Sequence, residues 1–301
     1  MSKTVVLDLG LVVAGHGRHY IVETPEGERL ICHPRGKKSD CVVGDRVRWQ
    51  SSGDEGVIEH VEPRRNLLFR RDEWRTKEFA ANLDQILVMV ASDPVFSESQ
   101  LARALIAAES AGIDARVLLN KADLPQIDAA RERLKPYVAM GTSVLEVALK
   151  ARPAEARAVL DSILAGKATL VLGPSGAGKS TLINLLAPDA RAQVGEISQA
   201  LNSGRHTTTT TQWYWLDRER STGLIDSPGF QEFGLRQLDA QQLPGLMPDV
   251  REHARQCKFY NCTHQHEPGC GVIAALQRGE ISESRHRIYG EILGELTQTR
   301  G

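Results

Sequence analysis

The segment ARVLLNKADLP, residues 115–125, sets an Asn-Lys-x-Asp element at the end of an apolar, β-prone run, and ATLVLGPSGAGKS, residues 168–180, follows it in the chain. The second segment matches a phosphate-binding loop in pattern and context: a strand-like run, a glycine-rich stretch and a helix opening at Lys179. Gly173, Gly176 and Gly178 permit a tight loop whose backbone N–H groups surround phosphate oxygens, and the helix N-terminus behind it favours the same anion. Pro174, Ser175 and Ala177 complete the loop. Lys179 is expected to reach the β- and γ-phosphates and the Ser180 hydroxyl to ligate magnesium, with Thr181 beside them at the helix start.

Such a loop does not by itself separate adenine from guanine nucleotides. Asp123 is expected to do so, because a carboxylate accepts two hydrogen bonds from guanine N1–H and the 2-amino group, which adenine cannot supply together. Asn120 and Lys121 belong to the same element. The tetrapeptide alone is a weak signal, since Asp123 can also cap a following helix; beside a phosphate loop it becomes a strong one.

A third element, GLIDSPGF (223–230), reads as a strand ending in Asp226. Asp226 is expected to hold magnesium through its water shell and the Gly229 N–H to face the γ-phosphate, so that the loop senses hydrolysis; the bland alternative is a Ser-Pro-Gly turn. In GRHTTTTTQWYWLD (204–217), Thr208 is the expected magnesium ligand of the GTP state, with Thr207 and Thr209 as neighbours, whereas Thr210 and Thr211 start a strand. Phe230 stands where Ras-like enzymes carry a water-orienting glutamine. His206 is therefore the candidate water-positioner, the alternative being a switch-loop side chain that touches a partner.

Around these motifs the 301 residues divide by pattern. Residues 1 to about 70 alternate short β-prone runs (GLVVAG, HYIVETPEGERLICH, GDRVRWQ, EGVIEHVEP) with Gly and Pro turns, which suggests a small barrel with the OB-fold as leading reading. Arg35, Lys37 and Lys38, and then Arg64, Arg65, Arg70, Arg71 and Arg75, form local patches suited to a phosphate backbone. From about 80 to 235, continuous apolar runs alternate with amphipathic stretches, implying a parallel sheet covered on both faces. The remainder is polar around its cysteines and ends in a helical stretch. The expected fold is multidomain: an N-terminal β-barrel (1–72), a central α/β phosphate-loop domain with permuted motif order (73–238) and a mainly α metal-binding domain (239–301).

Lys and Arg number 37 against 38 Asp and Glu, so any nucleic-acid contact must come from local patches rather than net charge. No run approaches the length of a membrane span and the N-terminus lacks a signal-peptide pattern, so a cytoplasmic, monomeric protein without membrane contact is expected. Cys257-x4-Cys262-x-His264-x5-Cys270 offers three thiolates and an imidazole, a ligand set that suits a closed, structural zinc site. His266 is the alternative histidine, and unligated buried thiols the alternative without metal. Cys32 and Cys41 have no nearby third ligand and read as core residues.

The inverted order of NKAD and GPSGAGKS resembles the circularly permuted GTPases. Together with the β-rich N-terminus, GRHTTT, DSPGFQEFGL and CKFYNCTHQHEPGC, the chain resembles over nearly its whole length the RsgA (YjeQ) family of small-ribosomal-subunit-dependent GTPases. That resemblance implies an OB-fold, a permuted GTPase domain and a zinc-binding domain. It also implies binding of GTP/GDP, the small ribosomal subunit and its rRNA, and GTP hydrolysis stimulated by the subunit and coupled to release during late maturation. In one place the chain departs from the family pattern: in LEVALKARP (145–153) Val147 precedes Ala148 where a Ser-Ala pair would flank the base, so backbone contacts from Ala148 are expected to serve instead. Rival readings are a permuted GTPase acting on the large subunit and a nucleotide-gated RNA-binding scaffold.

Overall fold

The computed structural model describes residues 7–36, 40–74, 76–188, 210–228, 230 and 233–298. Five strands, β1 (Asp8–His16), β2 (His19–Glu23), β3 (Arg29–Pro34), β4 (Arg46–Ser52) and β5 (Glu55–Val61), close into a barrel. Closure comes from β1 pairing with both β2 and β4, while β3 and β5 run parallel. Alternate positions point inward, as in β4, where Val47 and Trp49 are buried between exposed Arg46 and Arg48. They meet Val12, Val22, Cys32 and Ile58 in the barrel core. At Gly56 an added Cβ would lie 2.4 Å from Cys32 Sγ, so only glycine lets β5 pass the thiol. Burial pushes that thiol up to about 11, so Cys32 behaves as the inert core residue expected.

A hairpin, β6 (Leu67–Arg71) and β7 (Thr76–Ala81), follows the barrel, with its turn at the position expected to end the first domain. Six more strands form the central sheet: β8 (Gln85–Ala91), β9 (Asp114–Asn120), β10 (Ser143–Glu146), β11 (Ala168–Leu172), β12 (Gln212–Trp215) and β13 (Gly223–Asp226). Their order is β10-β9-β8-β11-β13-β12, parallel except for β12, which is antiparallel to β13 and bridges to β1 at Gln212 and Ala14. Every residue of β8 is buried. Its side chains alternate between two cores, Ile86, Val88 and Val90 in one and Leu87 and Met89 in the other.

The second of these cores is closed by α3 (Pro153–Leu164) and α4 (Lys179–Leu186), through Leu160, Leu164, Leu182 and Leu186. The first is closed by α1 (Glu98–Ser110) and α2 (Ile127–Ala139). The same core continues into the C-terminal helices α5 (Pro248–Ala254), α6 (Gly271–Gln277) and α7 (Glu283–Thr297), through Val250, Val272 and Ile288. Buried Arg285 fixes the contact: it pairs with Asp249 at 2.7 and 2.9 Å and lies 5.0 Å from the Tyr137 ring of α2. The fold is thus the three-part arrangement expected: barrel, α/β sheet, and a helical C-terminal region holding the Cys/His cluster. Among the described residues no helix is long and apolar enough to cross a membrane.

Candidate nucleotide and metal sites

Parallel strands deliver their loops to one edge of the sheet, and at the carboxyl ends of β8, β9, β11 and β13 stand Ser92, Asn120, Gly173 and Asp226. Strands separated in sequence are adjacent there, because β8 lies between β9 and β11. NKAD and the phosphate loop therefore meet although the chain order is inverted.

The loop from Gly173 turns into α4 with Gly176 at φ 81° and Gly178 at φ 106°, conformations that strain residues bearing a Cβ. Lys179 folds its ammonium back over the loop, donating to the Gly173 carbonyl and, at 3.2 Å, to that of Pro174. Burial lowers its pKa, opposed by the charge of Asp226. Burial raises the pKa of Asp226 in turn, opposed by Lys179, so the two opposite charges share one partly desolvated pocket. Ser180 and Thr181 are exposed at the helix start. Thr211 Oγ1 meets Ser227 Oγ at 3.0 Å, holding the start of β12 to the loop after β13.

Asn120 is buried and bonded on both sides of its amide: its Nδ2 donates to the Ala177 carbonyl at 2.9 Å, and its Oδ1 accepts from Leu149 N at 3.1 Å. Lys121 adopts φ 60°, a left-handed conformation uncommon outside glycine, and its Nζ donates to the Asp93 carbonyl at 2.5 Å. The Ser92 hydroxyl donates to the Lys121 carbonyl at 2.8 Å. Ala122 N donates to the Val147 carbonyl at 3.1 Å, which brings the Val147-Ala148-Leu149 segment alongside NKAD. Asp123 is exposed and its carboxylate makes no hydrogen bond or ion pair among the described residues. It does not cap α2, whose N-terminus has Gln126 at the cap position and no side-chain cap bond. The arrangement leaves a free carboxylate on the edge that carries the phosphate loop. His206, Thr208 with its neighbours Thr207 and Thr209, and Gly229 lie outside the described residues.

The cysteine cluster assembles as expected: one ligand atom each from Cys257, Cys262, His264 and Cys270 lies within 4.8 Å of the others, and exposed His266 is not among them. Tetrahedral zinc with Zn–S near 2.3 Å implies S···S separations of roughly 3.8 Å. Cys257 and Cys270 Sγ are 3.8 Å apart, and His264 Nδ1 lies 3.4 and 3.5 Å from them, so the donor set fits the ion. Burial raises the Cys262 and Cys270 thiols, and a bound cation would reverse that by favouring thiolates.

Residues the motifs did not reveal hold this site in place. Glu267 accepts from the backbone N–H groups of Thr263 at 2.7 Å, Gln265 at 3.1 Å and His266 at 3.3 Å, folding the ligand loop around its carboxylate. Gly271 and Ile273 direct N–H groups at the sulfurs of Cys257 and Cys270. His286 Nε2 meets the His264 carbonyl at 2.8 Å. An acidic residue lodged between the third and fourth ligands was the available signal for Glu267; the others follow only from tertiary contact.

The model of the RsgA GTPase family matches residues 61–236. A small ribosomal subunit biogenesis GTPase RsgA from Variovorax paradoxus is 64% identical over 300 residues, covering 98% of this chain and 94% of its own. The protein of the same name from Burkholderia pseudomallei is 52% identical over 292 residues, covering 96% and 92%. Among solved structures, YjeQ from Thermotoga maritima superposes with a TM-score of 0.74 at 30% identity, over 98% of this chain and 100% of that one. YloQ, described as a circularly permuted GTPase, gives a TM-score of 0.71 at 24% identity over 100% and 99%, a likeness of fold.

Proposed function

Because this chain belongs to the RsgA GTPase family of GTP hydrolases, we propose that it serves biogenesis of the small ribosomal subunit, binding the subunit and its rRNA in the GTP state and leaving after hydrolysis stimulated by that subunit. The reading is supported above all by similarity that runs through barrel, sheet and cysteine region alike, at 64% identity to a relative named for small-subunit biogenesis.

At the nucleotide site, Asp123 pairs with the guanine N1–H and 2-amino group, and Asn120 keeps that loop against Ala177. Backbone groups from Gly173 to Gly178, with Pro174, Ser175 and Ala177 between them, surround the phosphates, and Lys179 leaves its loop carbonyls for the β- and γ-oxygens. Ser180, Thr208 and Asp226 are the residues to hold magnesium, which neutralises charge on the transferred phosphoryl group. Gly229 reads the γ-phosphate and His206 orients the attacking water. The cysteine cluster takes one structural zinc ion. The working division is 1–72, 73–238 and 239–301, for a monomer acting in the cytoplasm.

Measuring GTP turnover of the purified protein alone, with small subunits and with large subunits tests the reading. Stimulation by small subunits only is expected; none by small subunits would overturn it.

A further inference from the structure

Among its described residues, the segment after Asp226 is held at several points by the hairpin that joins barrel to sheet. At its start, Lys77 on β7 donates to the Pro228 carbonyl. In its middle, Phe79 of β7 stacks on Phe233 with ring centroids 5.5 Å apart and planes 2° from parallel, and Phe230 tilts onto Phe233 at 6.2 Å. At its end, Arg236 N donates to the Arg71 carbonyl at 3.0 Å, and Arg71 N to the Gly234 carbonyl at 3.3 Å. An added Cβ at Gly234 would lie 2.5 Å from the Arg71 carbonyl oxygen, so glycine permits this approach. The other end of β7 is fixed to the barrel, where Ala81 N donates to the Val43 carbonyl at 2.9 Å.

Lys77 differs from three other cations of the region. Arg64, Arg65 and Arg236 each pair with a carboxylate, Asp45, Asp84 and Glu73 respectively. Lys77 pairs with none among the described residues; its ammonium lies 5.2 Å from the Phe79 ring centroid with the Pro228 carbonyl as acceptor. Burial and then the nearby Arg70 charge lower its pKa, so the ammonium sits where its charge is disfavoured. A half-buried cation with no counter-ion among the described residues is costly to keep for packing alone, and here it is directed at the carbonyl two residues beyond Asp226.

We propose that Lys77 is a positioning residue for GTP hydrolysis: by holding the Pro228 carbonyl it sets the orientation of the loop that follows Asp226. Phe230 is buried in the aromatic stack against Phe233, so the clasp holds the loop through this ring as well as through the Pro228 carbonyl. The inference rests on the proposal that Asp226 holds magnesium.

The test compares full-length Lys77→Met and Lys77→Arg with Asp226→Asn, measuring kcat and KM for GTP and affinity for a fluorescent GDP analogue. Lys77→Met should lower kcat about tenfold or more, as loss of alignment does, with KM and GDP affinity within about twofold of the parent. Lys77→Arg, which keeps the donor, should recover most of the rate. Parental kcat in Lys77→Met while Asp226→Asn is inactive would overturn the role of Lys77 alone. So would an equal loss of GDP affinity and rate, which marks a structural role. Parental turnover in Asp226→Asn would overturn the magnesium assignment, and this inference with it.

Discussion

Asn120 donates through Nδ2 to the Ala177 carbonyl at 2.9 Å, tying the end of β9 to the phosphate loop across the sheet edge. The opposite face of the same amide accepts from Leu149 N, so one buried side chain holds the base-side and phosphate-side loops in register. Asn120→Ala leaves the Leu149 N–H and the Ala177 carbonyl without partners. It should cost about 1–3 kcal/mol of stability and weaken GTP and GDP alike, which thermal melting and nucleotide titration will show. An unchanged melt would mean that the two loops are held some other way.

Asp123 has no partner to lose among the described residues, so its substitution isolates base recognition. Asp123→Asn replaces an acceptor pair with an amide that matches xanthine better than guanine. GTP affinity should fall by about 100-fold or more, while xanthosine triphosphate gains. Unchanged GTP affinity would remove Asp123 from the base site.

Asp226 carries a pH signature. Burial raises its pKa above the ordinary aspartate value, with Lys179 pulling it partly back. The folded chain therefore holds this proton to higher pH than the unfolded chain, and the associated stability is complete below the ordinary aspartate range and lost as pH rises through the raised value. Asp226→Asn, which mimics the protonated form, should melt higher than the parent at pH 7 without nucleotide, with the gap closing as pH falls toward the acid range. Its magnesium-dependent hydrolysis should drop by about 100-fold. A lower melting temperature at pH 7 would show that the charge is stabilising in place.

Glu267 should act on the metal through the ligand loop. Burial opposes its ionisation, but hydrogen bonds from Thr263 and the backbone around His266 bring its pKa down to about 2, so the loop stays pinned across the neutral range. Glu267→Gln should weaken zinc binding about 10- to 100-fold in a chelator competition, the usual effect of losing a group that orients metal ligands. Parental zinc affinity would confine Glu267 to loop stability.

What was legible in the chain is what local chemistry dictates. GPSGAGKS declares itself because glycines, lysine and serine at that spacing have one use, and the all-buried strand β8 shows as an unbroken apolar run. The spacing from Cys257 to Cys270 likewise anticipated the assembled cluster. Helix α2 was hidden, because Pro136 and a charged run obscure a face that buries only Ala130, Leu134 and Tyr137. Hairpin β6–β7 was hidden too, its arginines reading as a surface patch. The Lys77–Pro228 contact joins residues 151 positions apart, and nothing local to either announces the other. The local sequence also allows Asp123 to cap a helix, and only the fold shows Gln126 at the cap position.

The permuted order runs the loop after Asp226 directly into the C-terminal helices, and packing gives that connection mechanical content. Phe233, Leu235 and Leu238 lie in the same core as Leu243, Met247 and Val250, so a shift of the loop must be absorbed by α5. Helix α5 is in turn fixed to α7 and α2 by Asp249, Arg285 and Tyr137. Removing the carboxylate in Asp249→Ala leaves Arg285 buried and unpaired, at a cost of about 3–5 kcal/mol. In the parent protein, amides of α5 and α6 should exchange with solvent at different rates in the GTP- and GDP-bound states. In Asp249→Ala the C-terminal region should exchange faster in both states and the nucleotide-dependent difference should shrink, because a loosened α5 no longer passes on the movement of Phe233 and Leu235. Identical protection of α5 and α6 with either nucleotide would show that the core between Phe233 and Val250 moves as one body with the sheet, and that the C-terminal region does not sense hydrolysis through it.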